Sequence, residues 1–522
     1  MSHKTVVVIG GGPAGLTAAY ELSREPGVRV IVLEASGEFG GISRTVNHNG
    51  NRIDIGGHRF FSKSDWVMNW WRDILPVSSE APGAVEVSYQ NKSRTVEAGP
   101  PSDADNVMLV RNRLSRIYFE GKFLSYPVKP DVETAMKLGP MKMAKIAATY
   151  AQARMLPRHP ETSLEDFLMN RFGSELYKTF FQDYTEKVWG VPCDAISADW
   201  GAQRIKGLSL SNALKNAIAA PVRKLTGGQT KNTSLIEKFL YPKYGPGQLW
   251  ERVAELSARA GVDVRTHQKA VQIHSKDGRV TSVVAADAET GERHEIKADY
   301  VISSMPVSKL VAALGPAAPQ NVQDVAGALE YRDFITVGLL LKKLRPSAGT
   351  IPGSATNLVP DNWIYVQDKG VNVGRLQVFN NWSPYMVADP DTVWVGMEFF
   401  CRQHDGLWSM NDAGLTDLAI KELGMIGLAD RGDLIDSTVL RVEKAYPGYF
   451  GAYDRFDEVR SFTDSLENLF LIGRNGMHRY NNQDHSMLTA RLAAESVIRG
   501  AQDKQALWDV NIDDDYHEEK AA

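Results

Sequence analysis

The chain has 522 residues, 43% of them hydrophobic, which is more than one core usually organises, so two or three domains able to enclose a cofactor are expected. A formal net charge of -4 gives no global attraction to nucleic acid or to an anionic membrane surface. Only Cys193 and Cys401 occur, without metal-ligand spacing, which argues against a disulfide framework and a zinc site; with no apolar run near the roughly 20 residues of a membrane span, a cytoplasmic protein is expected.

Residues 5–9 are a β-branched apolar run, Gly10-Gly11-Gly12-Pro13-Ala14-Gly15 follows at once, and 16–22 continue at helical spacing. This reads as strand, phosphate turn and helix. Gly10 permits the tight turn, Gly12 lets backbone approach a pyrophosphate, and Gly15 allows the helix to pack on the strand. The helix amino terminus offers unpaired N–H groups to the anion. A second apolar run, 28–33, ends in Glu34, where a ribose-binding acid belongs. A glycine turn that merely packs would not need this whole context.

Next come Gly40-Gly41-Ile42-Ser43-Arg44-Thr45 and Asp54-Ile55-Gly56-Gly57-His58. Paired glycines let backbone pass close to a flat ring and its phosphates, and Arg44 can supply a fixed cation to a diphosphate. Residues 85–112 read as a largely polar insertion. From there 132–155 and 163–187 show helical spacing, the second opened by a capping box at Thr162 and Glu165, with Leu176, Tyr177, Phe180 and Phe181 as packing stripes. Residues 221–232 read as a surface connection, either a linker or a lid. Strands follow at 262–273, 280–286 and 300–306, then short β-rich runs from 334 to 400 that suggest an antiparallel sheet. A last strand at 469–473 leads through a turn to a helix at 486–499, and the acidic segment after 509 reads as a frayed tail.

Four stretches together resemble the UDP-galactopyranose mutases of the FAD-dependent amine oxidase and protoporphyrinogen oxidase superfamily. They are Gly56-Gly57-His58-Arg59-Phe60-Phe61-Ser62, Asp183-Tyr184-Thr185-Glu186-Lys187-Val188-Trp189-Gly190, Phe379-Asn380-Asn381-Trp382-Ser383-Pro384-Tyr385, and Gly473-Arg474 through Tyr480-Asn481-Asn482-Gln483-Asp484-His485-Ser486. Weaker echoes at Ser125-Tyr126-Pro127, Ser303-Ser304-Met305 and 327–331 keep the order along nearly the whole chain.

The resemblance implies an α/β fold: a Rossmann-type FAD-binding domain, an inserted helical domain and an antiparallel β-sheet substrate domain. On this reading 1–75, 233–310 and 461–502 build the FAD-binding domain, 76–128 a part of the substrate sheet with its insertion, 129–232 the helical domain, 311–460 the substrate domain, and 503–522 the tail. FAD, active when reduced and with NADPH as a candidate reductant, is held by Gly10, Gly12, Gly15, Glu34, Gly41, Arg44, Gly57, Gly473, Arg474, Asp484 and Ser486.

The resemblance further implies that His58 lies beside the flavin while Arg204 and Arg375 face a substrate diphosphate. Tyr446 and Tyr480 then donate to that diphosphate, Tyr126, Tyr365, Trp189 and Trp382 line the pocket, and Asn482 lies near the sugar. Planar arginine forks and phenols suit a dianion in a closed site. The implied reaction is pyranose–furanose interconversion of a nucleotide sugar through attack of flavin N5 on the anomeric carbon, which asks the protein for orientation and diphosphate stabilisation more than for acid–base groups. Lys129 stands where the family usually has an amide, and Trp382 where its closest eukaryotic members have tyrosine, which bears on base and sugar preference. The competing reading is an amine oxidase or desaturase sharing the amino-terminal fingerprint; a flavoprotein without catalysis ranks third. Neither oligomeric state nor sugar identity is encoded legibly.

Overall fold

Val6, Val7 and Val8 are wholly buried, as are Val32, Val301 and Phe470, because these strands form a parallel sheet covered on both faces. The computed structural model describes residues 4–79, 83–89, 92–100, 104–126, 128, 132–198, 238–347 and 349–510. The parallel sheet has five strands in the order Asp263–Arg265, Val28–Leu33, Lys4–Ile9, Tyr300–Ser303, Leu469–Leu471. Every neighbouring pair is parallel. The carboxyl ends of these strands open on one crevice, the place where doubly wound sheets bind nucleotides.

A second sheet of seven strands runs Lys122–Ser125, Ser115–Phe119, Trp363–Val366, Val373–Val378, Val393–Cys401, Tyr331–Leu341, Leu434–Pro447. It departs from the expected antiparallel pattern at one joint, where Trp363–Val366 runs parallel to Ser115–Phe119. Of its inner strands, Tyr331–Leu341 and Val393–Cys401 are buried along their whole length, the first with Arg332, Asp333 and Thr336 enclosed among its apolar residues. The mixed α/β class with one parallel and one largely antiparallel sheet agrees with the sequence reading.

Local elements differ in instructive ways. The helix expected over 132–155 breaks at Gly139, φ 82°, into Val132–Leu138 and Pro140–Met155, since Pro140 starts a helix far more readily than it continues one. The helix expected over 163–187 is interrupted at Gly173, φ 77°, and passes through a π turn at Lys178–Gln182 before Asp183–Trp189. Its capping box is one residue along: Ser163 Oγ accepts from Asp166 N–H at 3.1 Å and the Asp166 carboxylate answers. Tyr177 and Phe180 are buried, as packing stripes should be.

The polar insertion is no loose loop. It folds into the hairpin Gly83–Tyr89 with Lys92–Ala98, burying Val85, Val87 and Val96, and its strand Met108–Asn112 pairs with Lys238–Pro242. No helix among the described residues is long and apolar enough to cross a membrane. Lys129, Arg204, the 221–232 connection and the tail from 511 lie outside the described residues.

Candidate active site

The crevice is floored by glycines that have no room for a side chain. Gly10, φ 106°, would place a Cβ 2.2 Å from Ser304 Oγ, and Gly15 would place one 1.9 Å from the Gly10 carbonyl oxygen. The first helix, Pro13–Leu22, therefore presses directly onto the turn, and its amino terminus carries no side-chain cap. Gly40 N–H donates to Gly11 O at 2.9 Å, and Gly41 packs so that its Cβ would lie 3.3 Å from Gly12 Cα. Two glycine loops thus close on each other at the head of the helix. Glu34 Oε2 accepts from Gly11 N–H at 2.6 Å and Oε1 accepts from Ser36 N–H and Ser36 Oγ, each at 2.8 Å, holding the turn while Oε2 keeps a lone pair for a ribose hydroxyl.

The hairpin Thr45–His48 with Asn51–Asp54 carries two expected site residues at its ends. Arg44 lies 3.4 Å from the exposed Glu38 carboxylate, and its buried Nε has no hydrogen-bond partner. His58 Nε2 lies 2.9 Å from both the Ile42 and Ile55 carbonyl oxygens, which fixes the tautomer protonated there. Desolvation, helped by the Arg474 and Arg375 charges, holds its imidazole down at about 4, so it is neutral at physiological pH. Gly57 is a glycine because the Trp363 ring lies on it, with a Cβ only 2.1 Å from that ring.

Above the crevice stands a wall of aromatic rings. Tyr126 stacks on Tyr365 at 4.4 Å, Tyr365 stacks on Trp363 at 5.7 Å, and Tyr184 meets Tyr365 edge-on at 5.8 Å. Opposite, Tyr446 stacks on Tyr480 at 5.7 Å, and Trp189 meets Tyr446 edge-on at 6.3 Å.

Arg375 joins the two groups. Its guanidinium lies 4.7 Å from the Phe400 centroid and 5.1 Å from that of Trp363, and it donates to Tyr446 Oη at 2.7 Å. Burial would pull this guanidinium down, but Glu398, Tyr446 and Tyr184 together push it well above its ordinary value.

Glu398 is the residue that sequence reading missed. Its side chain is wholly buried, it lies across the strands from Arg375, and its Oε2 forms an ion pair with Arg375 Nη2 at 2.5 Å. Gln377 donates to Oε1 at 2.8 Å. A single carboxylate inside the apolar run 393–401 was the available signal, since such a group is buried only when paired.

Four expected residues take other parts. Trp382 is wholly buried against Phe239, Tyr241 and Trp363 and donates to Asn362 O at 2.9 Å, so it belongs to the core and lines no space open to a ligand. Arg474 directs its three nitrogens to the carbonyls of Asn481 and Ala445, bracing the loop below Tyr480. Asp484 accepts from Ser62 Oγ at 2.9 Å, and Ser486 donates to Asn481 Oδ1 at 2.8 Å; both bind protein groups. Burial raises the Asp484 carboxyl, but His485 and Ser62 outweigh it and leave it below the usual range.

The buried side chain left without a hydrogen-bond partner in that segment is instead Gln483. It opens the helix Gln483–Arg499, is 8% exposed, and neither amide atom has a partner among the described residues. Asn482 precedes it at the N-cap without capping the helix through its side chain. Gly473, φ 71°, sits against Ala14, which brings this helix to the same crevice as the amino-terminal turn.

The fit to a dinucleotide with a flat ring is supported by these features: a glycine cradle at a helix head, a carboxylate beside it, the Arg44 guanidinium, and the Gln483 amide without a hydrogen-bond partner. The first three would hold the ADP portion, and Gln483 with the neutral His58 would meet the ring system.

Comparison with known proteins agrees. The profile described as flavin containing amine oxidoreductase matches residues 13–498. Protoporphyrinogen oxidase 2, chloroplastic/mitochondrial, of Arabidopsis thaliana is 26% identical over 240 residues, 45% of this chain and 42% of that enzyme. An L-amino-acid oxidase of Crotalus adamanteus is 22% identical over 383 residues, 71% of this chain and 64% of that one. The matches thus span less than two thirds of either oxidase. Among solved structures, a reduced UDP-galactopyranose mutase superposes with a TM-score of 0.75 at 21% identity, covering 97% of this chain and 98% of that one, a likeness of fold.

Proposed function

Because the chain belongs to the flavin containing amine oxidoreductase family, which implies FAD, we propose that it uses reduced FAD to interconvert the pyranose and furanose forms of a nucleotide sugar. The observation that carries this reading is the Arg375, Tyr446 and Tyr480 group: a buried fork and two phenols facing one crevice suit a diphosphate and do not suit an apolar amine. The full-length likeness in fold to a UDP-galactopyranose mutase supports it.

Bound reduced flavin supplies the nucleophile for the anomeric carbon. The protein's own work is then to orient and to stabilise. Arg375 holds the diphosphate while it is detached from the sugar, and Tyr446 and Tyr480 donate to its oxygens. Glu398 keeps the Arg375 fork in one orientation and tempers its charge, so that diphosphate is retained without being trapped. The column Tyr126, Tyr365 and Trp363 offers a stacking surface for the base. His58, neutral and fixed by its Nε2, presents Nδ1 as an acceptor near the ring. Arg204 and Asn482 complete the proposal as a second diphosphate cation and a sugar contact.

The experiment is anaerobic incubation of dithionite-reduced protein with a panel of nucleotide sugars, analysed for pyranose–furanose interconversion. NADPH in place of dithionite tests the proposed reductant. Isomerisation of at least one sugar is expected; flavin reduction by an amine or apolar substrate, with every sugar returned unchanged, sinks the proposal. That second outcome is the oxidase reading, which the oxidases among the relatives favour.

A further inference from the structure

Asp54 ends the strand Asn51–Asp54 and immediately precedes Ile55, Gly56, Gly57 and His58. Its carboxyl is wholly buried. Thr45 Oγ1 donates to Oδ1 at 2.8 Å, and Tyr241 Oη donates to Oδ2. Thr45 Oγ1 in turn accepts from Gly247 N–H at 3.0 Å, so its proton is committed to Asp54. The turn at Gly245 is packed so closely on this pair that a Cβ there would lie 2.3 Å from Thr45 Oγ1.

The strand that supplies Tyr241 also holds the far end of the His58 segment. Phe60 N–H donates to Leu240 O at 3.1 Å, and Leu240 N–H to Phe60 O at 3.3 Å. One strand, Lys238–Pro242, therefore clamps residues 55–59 at both ends, through Tyr241 to Asp54 and through Leu240 to Phe60. On the other side, Thr45 directly follows Arg44. The two hydroxyls on Asp54 thus hold both the Arg44 and the His58 ends of the hairpin.

We propose that Asp54 is a positioning residue of the cofactor crevice, and that gain or loss of a proton on its carboxyl changes how the Gly56–His58 segment seats against bound FAD. The inference rests on the cofactor reading. Its chemistry follows from the donors present. As an anion, the carboxylate accepts from both hydroxyls with no cation facing it, a costly arrangement in a buried site. As an acid it must donate from one oxygen. Both hydroxyls donate to the anion, so the one that meets the acid proton must turn from donor to acceptor and redirect its own proton. The two states therefore differ at an attachment of the hairpin, either at Thr45 beside Arg44 or at Tyr241 on the clamping strand.

Tyr241 is the titratable group facing Asp54 from its strand; from the hairpin it is met by Thr45, and from the turn before helix Pro246–Arg259 by glycine backbone. Burial, only partly offset by the Tyr241 and Thr45 hydrogen bonds, lifts the carboxyl to about 7, while burial and Asp54 keep the Tyr241 phenol protonated well above its usual range.

The test is the visible absorption and circular dichroism of the oxidised FAD-loaded protein between pH 5.5 and 8.5, where oxidised flavin has no ionisation of its own. A spectral transition centred near pH 7 is expected in the wild type, absent in Asp54→Asn, and shifted upward by roughly one unit in Tyr241→Phe, which removes a donor to the anion. A wild type without a transition, or an Asn variant that keeps it, overturns the proposal.

If the wild type binds no FAD, the cofactor reading fails, and the pH dependence of unfolding decides on Asp54 alone. Its proton affinity is higher folded than unfolded, so the Asp54 contribution to stability falls as pH rises from 4 toward 7, and the stability difference between wild type and Asp54→Asn must change by that fall; parallel curves overturn it. Should the Asn variant not fold, Tyr241→Phe carries the same test through the direction of its shift.

Discussion

The cofactor cradle and the substrate-facing sheet are built by opposite means. The cradle is made of backbone: Gly10 and Gly15 are there because nothing larger fits, and the elements that shape it follow one another within the first 45 residues. The sheet face is made of side chains. Arg375, Glu398 and Tyr446 come from three strands far apart in sequence and meet only through pairing. A backbone site leaves a motif, whereas a side-chain site leaves single residues whose partners the sequence does not name.

The sharpest break between the two regions is Arg375→Ala, expected to lower turnover about 100- to 1,000-fold while FAD stays bound. The same change strands the buried Glu398 carboxylate, at a cost of about 3–5 kcal/mol. Denaturant unfolding of Arg375→Met with Glu398→Gln should recover much of that stability and none of the turnover. Loss of FAD from Arg375→Ala would place this arginine in the wrong region.

The mirror change is Gly15→Ala. Its methyl meets the Gly10 carbonyl, so FAD affinity measured by fluorescence is expected to fall about 100-fold or more, roughly 3 kcal/mol. Retained affinity would mean that the turn relaxes freely and the cradle is less rigid than described.

A smaller effect tests the reassigned tryptophan. Trp382→Phe removes a buried hydrogen bond to Asn362 and some ring volume, for an expected loss of about 1–3 kcal/mol with KM unchanged. A KM change without a stability change would return Trp382 to the substrate pocket.

The smallest effect concerns His58. Its folded imidazole is held near 4 against an ordinary 6.5, so the unfolded chain takes up a proton first and the His58 contribution to stability drops as pH falls from 6.5 toward 4. His58→Asn should reduce that drop in urea midpoints compared at pH 7 and pH 5. An unchanged pH slope would mean that the imidazole is not desolvated.

What was legible in the sequence follows this division. The parallel sheet, the glycine turn and Glu34 could be read because short-range pattern and steric need coincide there. Helix ends were read one residue off at Ser163, where Ser and Thr stand side by side and either can cap. The capacity of Gly139 and Gly173 to break a helical pattern was underestimated, since the apolar spacing continues across both. In the 480–486 segment Asp484 and Ser486 drew attention as ligands and are engaged with Ser62 and Asn481, while Gln483, whose amide has no hydrogen-bond partner, was not singled out. The polarity of 85–112 hid a hairpin whose alternate positions face inward.

The edge strand Leu469–Leu471 carries a consequence for how the molecule is made. It pairs with Tyr300–Ser303 and delivers Gly473 and Gln483 to a crevice begun by Gly10. During synthesis the early strands can assemble, yet one sheet edge stays bare and the cradle stays open until this late segment leaves the ribosome. Cofactor capture thus becomes a late event of maturation, and a chain arrested before residue 469 would offer aggregation-prone edge where the finished protein offers a binding site.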